Sequence, residues 1–177
     1  QPTGDERLRI LYLPIYERRY GKYKHGLRDA LQNYGLVYEL DYINATFDLE
    51  AIVRQWQPHI MVSQFHSPDA LMLSELVNAR RAKPDMLVVN WNGDVYEDKL
   101  VNERMIAYLK HVDWQLVVNA SVIPIYEAHG VKSAYWQVAY EPIDESKLPA
   151  VVRHDVIFLA NAYTPEQLAF AQEHGES

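Results

Sequence analysis

Apolar runs of seven or eight residues alternate with segments of helical period along most of this chain. The runs "LRILYLP" (8–14), "LVYELDY" (36–42), "HIMVSQF" (59–65), "DMLVVNW" (85–91), "DWQLVVN" (113–119) and "SAYWQVAY" (133–140) read as strands. Between them, 23–35 carries Leu27, Ala30, Leu31 and Tyr34 at helical spacing and offers Gly35 as a left-handed stop. The segment 47–58 has Asp48 as N-cap, Ile52, Val53 and Trp56 on one face, and Pro58 as terminator. Helices are also predicted over 67–84, entered at Ser67-Pro68, over 98–111, and over 121–130, closed by Gly130.

Strict alternation with short connections predicts parallel strands joined by crossover helices, a Rossmann-like doubly wound α/β domain. The strands are apolar throughout, as a sheet covered on both faces requires. The polar stretch 143–154 reads as a linker between a domain at 1–142 and a further strand and helix at 155–177. That last pair is either the start of a second domain or the closing strand and helix of the first. The chain opens on Gln1 and ends inside a helical pattern, which predicts a fragment of a longer protein.

Composition narrows the function classes. Apolar residues make up 49% of 177 positions, enough for a sizeable core. The net charge of −7 argues against non-specific binding to nucleic acid or an anionic membrane. The chain has no cysteine, so disulfides and thiolate zinc sites are excluded, and a reducing, cytoplasmic setting is expected. No apolar run reaches the length of a membrane span.

Ligands of open parallel sheets bind beyond the carboxyl ends of the strands. That rule selects the loops at 15–22, 65–67, 92–97, 119–121 and 140–142. None carries a dinucleotide fingerprint, a Walker sequence, a zincin helix or a nucleophile elbow. The stretch "NWNGDVYED" (90–98) instead places Trp91, Asn92 and Asp94 where the fourth strand ends. Asp94 is a candidate to orient a hydroxyl or take its proton, though Asn-Gly-Asp is also good turn chemistry. His66, after the third strand, is a candidate base or hydroxyl partner, or simply a loop histidine bonded to backbone. Trp91 with Tyr96 would supply flat faces for a sugar, or plain packing. Tyr16, Arg18 and Arg19 form a donor-rich loop suited to an anionic or polyhydroxylated ligand, or a solvated surface. Asn119 and Glu141 stand at the ends of the fifth and sixth strands.

The order of these pieces resembles the N-terminal half of a GT-B glycosyltransferase, most closely the CgeB-like branch. "WNGDVYED" is similar to that group's strand-end stretch of Trp plus Asp. "QLVVNASVIPIYEAHGVKSAYWQVAYEPIDESKLP" is similar to its strand, helix ending in Gly-Val, and strand running into Asp-Pro, with Glu141-Pro142 at that last point. "RHDVIFLANAYTPEQ" looks like the opening strand of the second domain, with Ala160 where glycine is usual and no arginine after Tyr163. The resemblance implies an acceptor-side domain facing a cleft, a nucleotide-sugar donor held mainly by a following domain, and no metal. The acceptor would be a small molecule, glycan or protein. Asp94 or His66 would be the base of an inverting enzyme, and would only position substrates in a retaining one. A stand-alone α/β binding or regulatory module is the alternative. Another class of Rossmann enzyme is weakened by the missing motifs.

Overall fold

A computed structural model of the chain describes residues 7–14, 26–41, 46–67, 71–93 and 103–137. These all fall within the first of two units into which the chain divides, Gln1–Glu141 and Pro142–Ser177. The expected linker and the strand and helix at 155–177 lie outside the described residues.

The described chain is an alternating β/α array. Its strands are β1 Leu8–Leu13, β2 Gly35–Glu39, β3 Ile60–Ser63, β4 Leu87–Asn92, β5 Trp114–Val117 and β6 Ser133–Tyr135. Its helices are α1 Gly26–Gln32, α2 Leu49–Trp56, α3 Leu73–Ala82, α4 Glu103–Leu109 and α5 Ile123–Ala128. All pairings are parallel, in the order β2-β1-β3-β4-β5-β6. The fold is therefore a Rossmann-like doubly wound α/β sheet. Its order is the second of the two common doubly wound arrangements, not the 3-2-1-4-5-6 order of dinucleotide-binding domains. The missing glycine fingerprint after β1 agrees with that order.

Direction decides which face each helix covers. The chain steps one way from β1 to β2, then reverses, and right-handed crossovers on opposite headings land on opposite faces. Leu27 and Leu31 of α1 accordingly pack on Ile10, Tyr12 and Val62. The other face carries Leu11, Leu13, Met61 and Val88 under Leu49 and Val53 of α2, Leu76 and Ala79 of α3, and Tyr108 of α4. A second cluster on α4 and α5 joins Met105, Ile106, Leu109, Val117, Val122, Tyr126 and Val131.

Local chemistry explains the element ends. Asp48 caps α2 by accepting the Ala51 N–H at 2.9 Å, and Glu75 of α3 accepts the Leu49 N–H at 3.3 Å. Gln57 takes a left-handed φ of 53° ahead of Pro58 and stops the helix. Gly130, at φ 78°, donates to the Glu127 carbonyl, while the Val131 N–H returns to Tyr126, as the pattern predicts for a glycine-terminated helix. At the amino edge Arg80 grips Asp113 through two bonds of 2.9 and 3.0 Å, and Asp113 also accepts the Val88 N–H.

Three expectations need correction. Gly35 is not a left-handed helix stop; it opens β2, where a Cβ would lie 2.2 Å from the Leu8 carbonyl oxygen. Glycine is required there by close approach of two backbones. The third helix does not begin at Ser67-Pro68: it starts at Leu73, after Leu71 has already been buried, and Met72 caps it without a side-chain bond. Nor is every strand covered on both faces. Edge strand β2 leaves Leu36 and Tyr38 exposed, with Tyr38 reaching only the rim of α2 at Trp56. Among the described residues no helix is long and apolar enough to cross a membrane.

Tyr126 gives the fold a testable pH dependence. Its hydroxyl is buried without a hydrogen-bond partner among the described residues, and burial pushes its pKa up to about 12 from 10.0. The folded state thus holds this proton more tightly than the unfolded chain between those two values. Its share of stability is complete below pH 10 and falls as pH rises toward 12. Tyr126→Phe should leave neutral stability unchanged or raise it by up to about 1 kcal/mol, because an unsatisfied hydroxyl is removed. It should also flatten the alkaline loss, read from urea unfolding across pH 8 to 12.

Candidate functional site

The strand order puts the topological switch point at a definite place. β1 leaves the sheet toward the α1 face and β3 leaves it toward the α3 face, so their outgoing chains diverge. Such a switch point is where open α/β sheets hold ligands. His66 lies in the β3–α3 connection and so belongs to this edge.

Three residues meet there. The Gly93 N–H, one residue beyond β4, donates to His66 Nε2 at 3.4 Å. The His66 and Trp91 rings stand 5.7 Å apart at 63°, an edge-on contact. The Trp91 indole also folds back over Gly93, so that a Cβ at position 93 would fall 2.7 Å from the ring. Its Nε1–H reaches the Trp136 carbonyl beside β6 at 3.4 Å. Indole, imidazole and glycine amide thus form one half-buried corner.

The bond from Gly93 has a chemical consequence. An amide N–H needs a lone pair, so the neutral imidazole accepting it carries its proton on Nδ1. In that state its basic lone pair is turned to the backbone.

The remaining candidates separate. β4 runs one residue further than the apolar pattern indicates, so Asn92 belongs to the strand and not to a turn. It is fully buried and pairs in register with Val117, on the opposite sheet face from Trp91. Trp91 and Asn92 are therefore not presented side by side. Asn119 stands just past β5 as expected. Its Oδ1 accepts from the Ser121 N–H at 3.0 Å and the Ser121 hydroxyl at 2.9 Å, capping the 3₁₀ turn Ala120–Val122. Tyr16, Arg18, Arg19, Asp94, Tyr96 and Glu141 lie outside the described residues. Among the described residues no group of three His, Cys, Asp or Glu side chains could hold a metal ion.

Two features were not singled out from sequence. Glu39, at the end of β2, has its carboxyl held above the usual range by burial and then by Asp41, with the Arg28 guanidinium 3.6 Å away. More consequential is a buried polar row. Register aligns Ser63, Asn90, Gln115 and Ser133 across four adjacent strands. Ser63 Oγ–H donates to Asn90 Oδ1 at 2.8 Å, and Asn90 Nδ2 donates to Gln115 Oε1 at 2.9 Å. Asn90 also accepts the Phe65 N–H at 2.8 Å and donates to the Phe65 carbonyl at 3.1 Å. The signal was present in sequence: Ser63, Asn90, Gln115 and Ser133 are uncharged polar residues within four of the six apolar runs.

Gly93→Ala tests the corner. The new methyl must displace the indole, an overpacking cost of about 1–3 kcal/mol. Thermal unfolding should show that loss, and near-ultraviolet circular dichroism should show a changed tryptophan environment. No family model matches the sequence, and a search of curated proteins finds no match either.

Proposed function

We propose that this chain is the acceptor-side domain of a metal-independent GT-B-type glycosyltransferase. It would seat an acceptor hydroxyl at the carboxyl edge of β3 and β4. A nucleotide-sugar donor would be held mainly by a following domain. The observation that carries the reading is the corner of His66, Trp91 and Gly93 beside the switch point of a parallel sheet. An indole face beside an imidazole donor suits a polyhydroxylated ligand, which needs apolar contact for its C–H face and directed bonds for its hydroxyls. The absence of a dinucleotide fingerprint is compatible with this chemistry.

The roles then divide. With its Nε2 accepting from Gly93, His66 is assigned the positioning of the acceptor and Asp94 the part of the base. In an inverting reaction, proton removal falls to Asp94, the residue after Gly93 in the chain. Attack of the acceptor oxygen on the anomeric carbon forms the new glycosidic bond. The nucleotide diphosphate departs with the bonding pair, and Asp94 takes the hydroxyl proton.

Binding is the direct test. Saturation-transfer NMR on the chain with a panel of methyl glycosides should show sugar-ring protons saturated. Trp91→Ala and His66→Ala should each weaken that binding about tenfold, the value of one aromatic or hydrogen-bond contact. No saturation by any glycoside, or full binding in both variants, would overturn the reading. In the full reading frame of the gene, Asp94→Asn should lower kcat at least about a hundredfold if Asp94 is the base. Glycoside binding without transfer from any nucleotide sugar would point to a binding module instead.

A further inference from the structure

We infer that Asn90 is the positioning residue of this site: its carboxamide takes the place of a backbone rung and sets where His66 leaves the sheet. The inference rests on the proposed role of His66, but its geometry is independent of any ligand.

The β3–β4 ladder ends at the pair Ser63 and Asn90. Beyond it the two strands part. The Gln64 N–H turns to the Leu13 carbonyl of β1 at 3.0 Å, while β4 goes on pairing with β5 as far as Asn92 and Val117. The N–H and C=O of buried Phe65 fall in the gap, where buried polar groups call for hydrogen bonds. One side chain meets both. Asn90 presents an acceptor and a donor, the same pair a peptide unit presents, and bonds the Phe65 N–H at 2.8 Å and its carbonyl at 3.1 Å. Because that side chain stands off the sheet, Phe65 is drawn to the face carrying α2 to α4. There its ring meets Tyr108 edge-on at 5.3 Å. His66 is the next residue, and its ring closes on Gly93, three residues beyond Asn90 along β4. Asn90 therefore fixes both ends of the His66–Gly93 bond: one through Phe65, the other through the strand it belongs to.

The rest of the row explains why asparagine suits this position. Ser63 and Gln115 flank the amide and fix its orientation, since Oδ1 receives the Ser63 hydroxyl and Nδ2 faces Gln115 Oε1. A flipped amide would set acceptor against acceptor at Gln115 and at the Phe65 carbonyl, and donor against donor at the Phe65 N–H.

The test reads His66 in the chain without ligand. Long-range imidazole nitrogen–proton spectra report the ring's tautomer, and the Gly93 amide proton shift reports its bond. Asn90→Leu removes both bonds to Phe65, and Asn90→Thr is the milder variant should that one fail to fold. Gln115→Leu breaks the row on the far side of the amide and leaves the Phe65 clamp in place. Either Asn90 variant should shift the Gly93 amide upfield and move His66 to a mixture of tautomers. Gln115→Leu should lower the melting temperature without altering the His66 spectrum. If Asn90→Thr leaves the His66 and Gly93 signals as in the parent, or Gln115→Leu changes them equally, Asn90 is a core residue only and the inference fails. Loss of glycoside binding in the parent chain would overturn the functional reading alone, because no sugar enters this measurement.

Discussion

A buried amide in the middle of a parallel sheet must find four partners or destabilise the fold, and Asn90 finds them in Ser63, Phe65 and Gln115. The surroundings follow from that constraint. β3 and β4 stay in register up to this point and separate after it. Phe65 is drawn into the core beside Tyr108, and the strand ends open where ligands of such sheets bind. An apolar residue at position 90 would remove both side-chain bonds to the Phe65 backbone. The polar row thus contributes specificity of shape more than cohesion.

The edge of the sheet divides its labour along the strands. The amino ends are held by side chains: Arg80 on Asp113, and Arg9 on His59 and Gln57. The carboxyl ends leave imidazole, indole and glycine amide half-buried. A rigid end opposite an adaptable one is how α/β domains support a site without giving up stability. In this chain the adaptable end is itself anchored from below by a buried network.

The architecture was legible because alternation is a strong signal: among the described residues the six apolar runs from 8 to 140 each contain a strand and the periodic segments between them each contain a helix. Caps at Asp48 and Gly130 were legible because their chemistry is local. Less was legible where register or tertiary contact decides. Ser67-Pro68 looks like a helix entry, yet burial of Leu71 delays the helix to Leu73. Asn92 looks like a turn residue, yet one more strand pair with β5 turns its side chain inward, away from Trp91. Ser63, Asn90 and Gln115 are visible as isolated polar letters. Only the offsets between strands place them in one row, and a sequence carries no register of its own. Of the candidate residues, His66 and Trp91 met because both follow from strand ends, which periodicity does locate.

The strand order also bears on how the chain is made. β1 is an interior strand, flanked by β2 on one side and β3 on the other. Its second partner arrives late: Arg9 and His59, hydrogen-bonded to each other, are separated by 50 positions in the chain. Chain order therefore makes β2 available to β1 before β3. Once β3 is in place β1 is closed on both sides, whereas β3 still waits for β4 and β2 stays at the edge. Of the two pairings of β1, the one with β3, where helices change faces, closes the longer loop and so carries the larger loop-closure entropy.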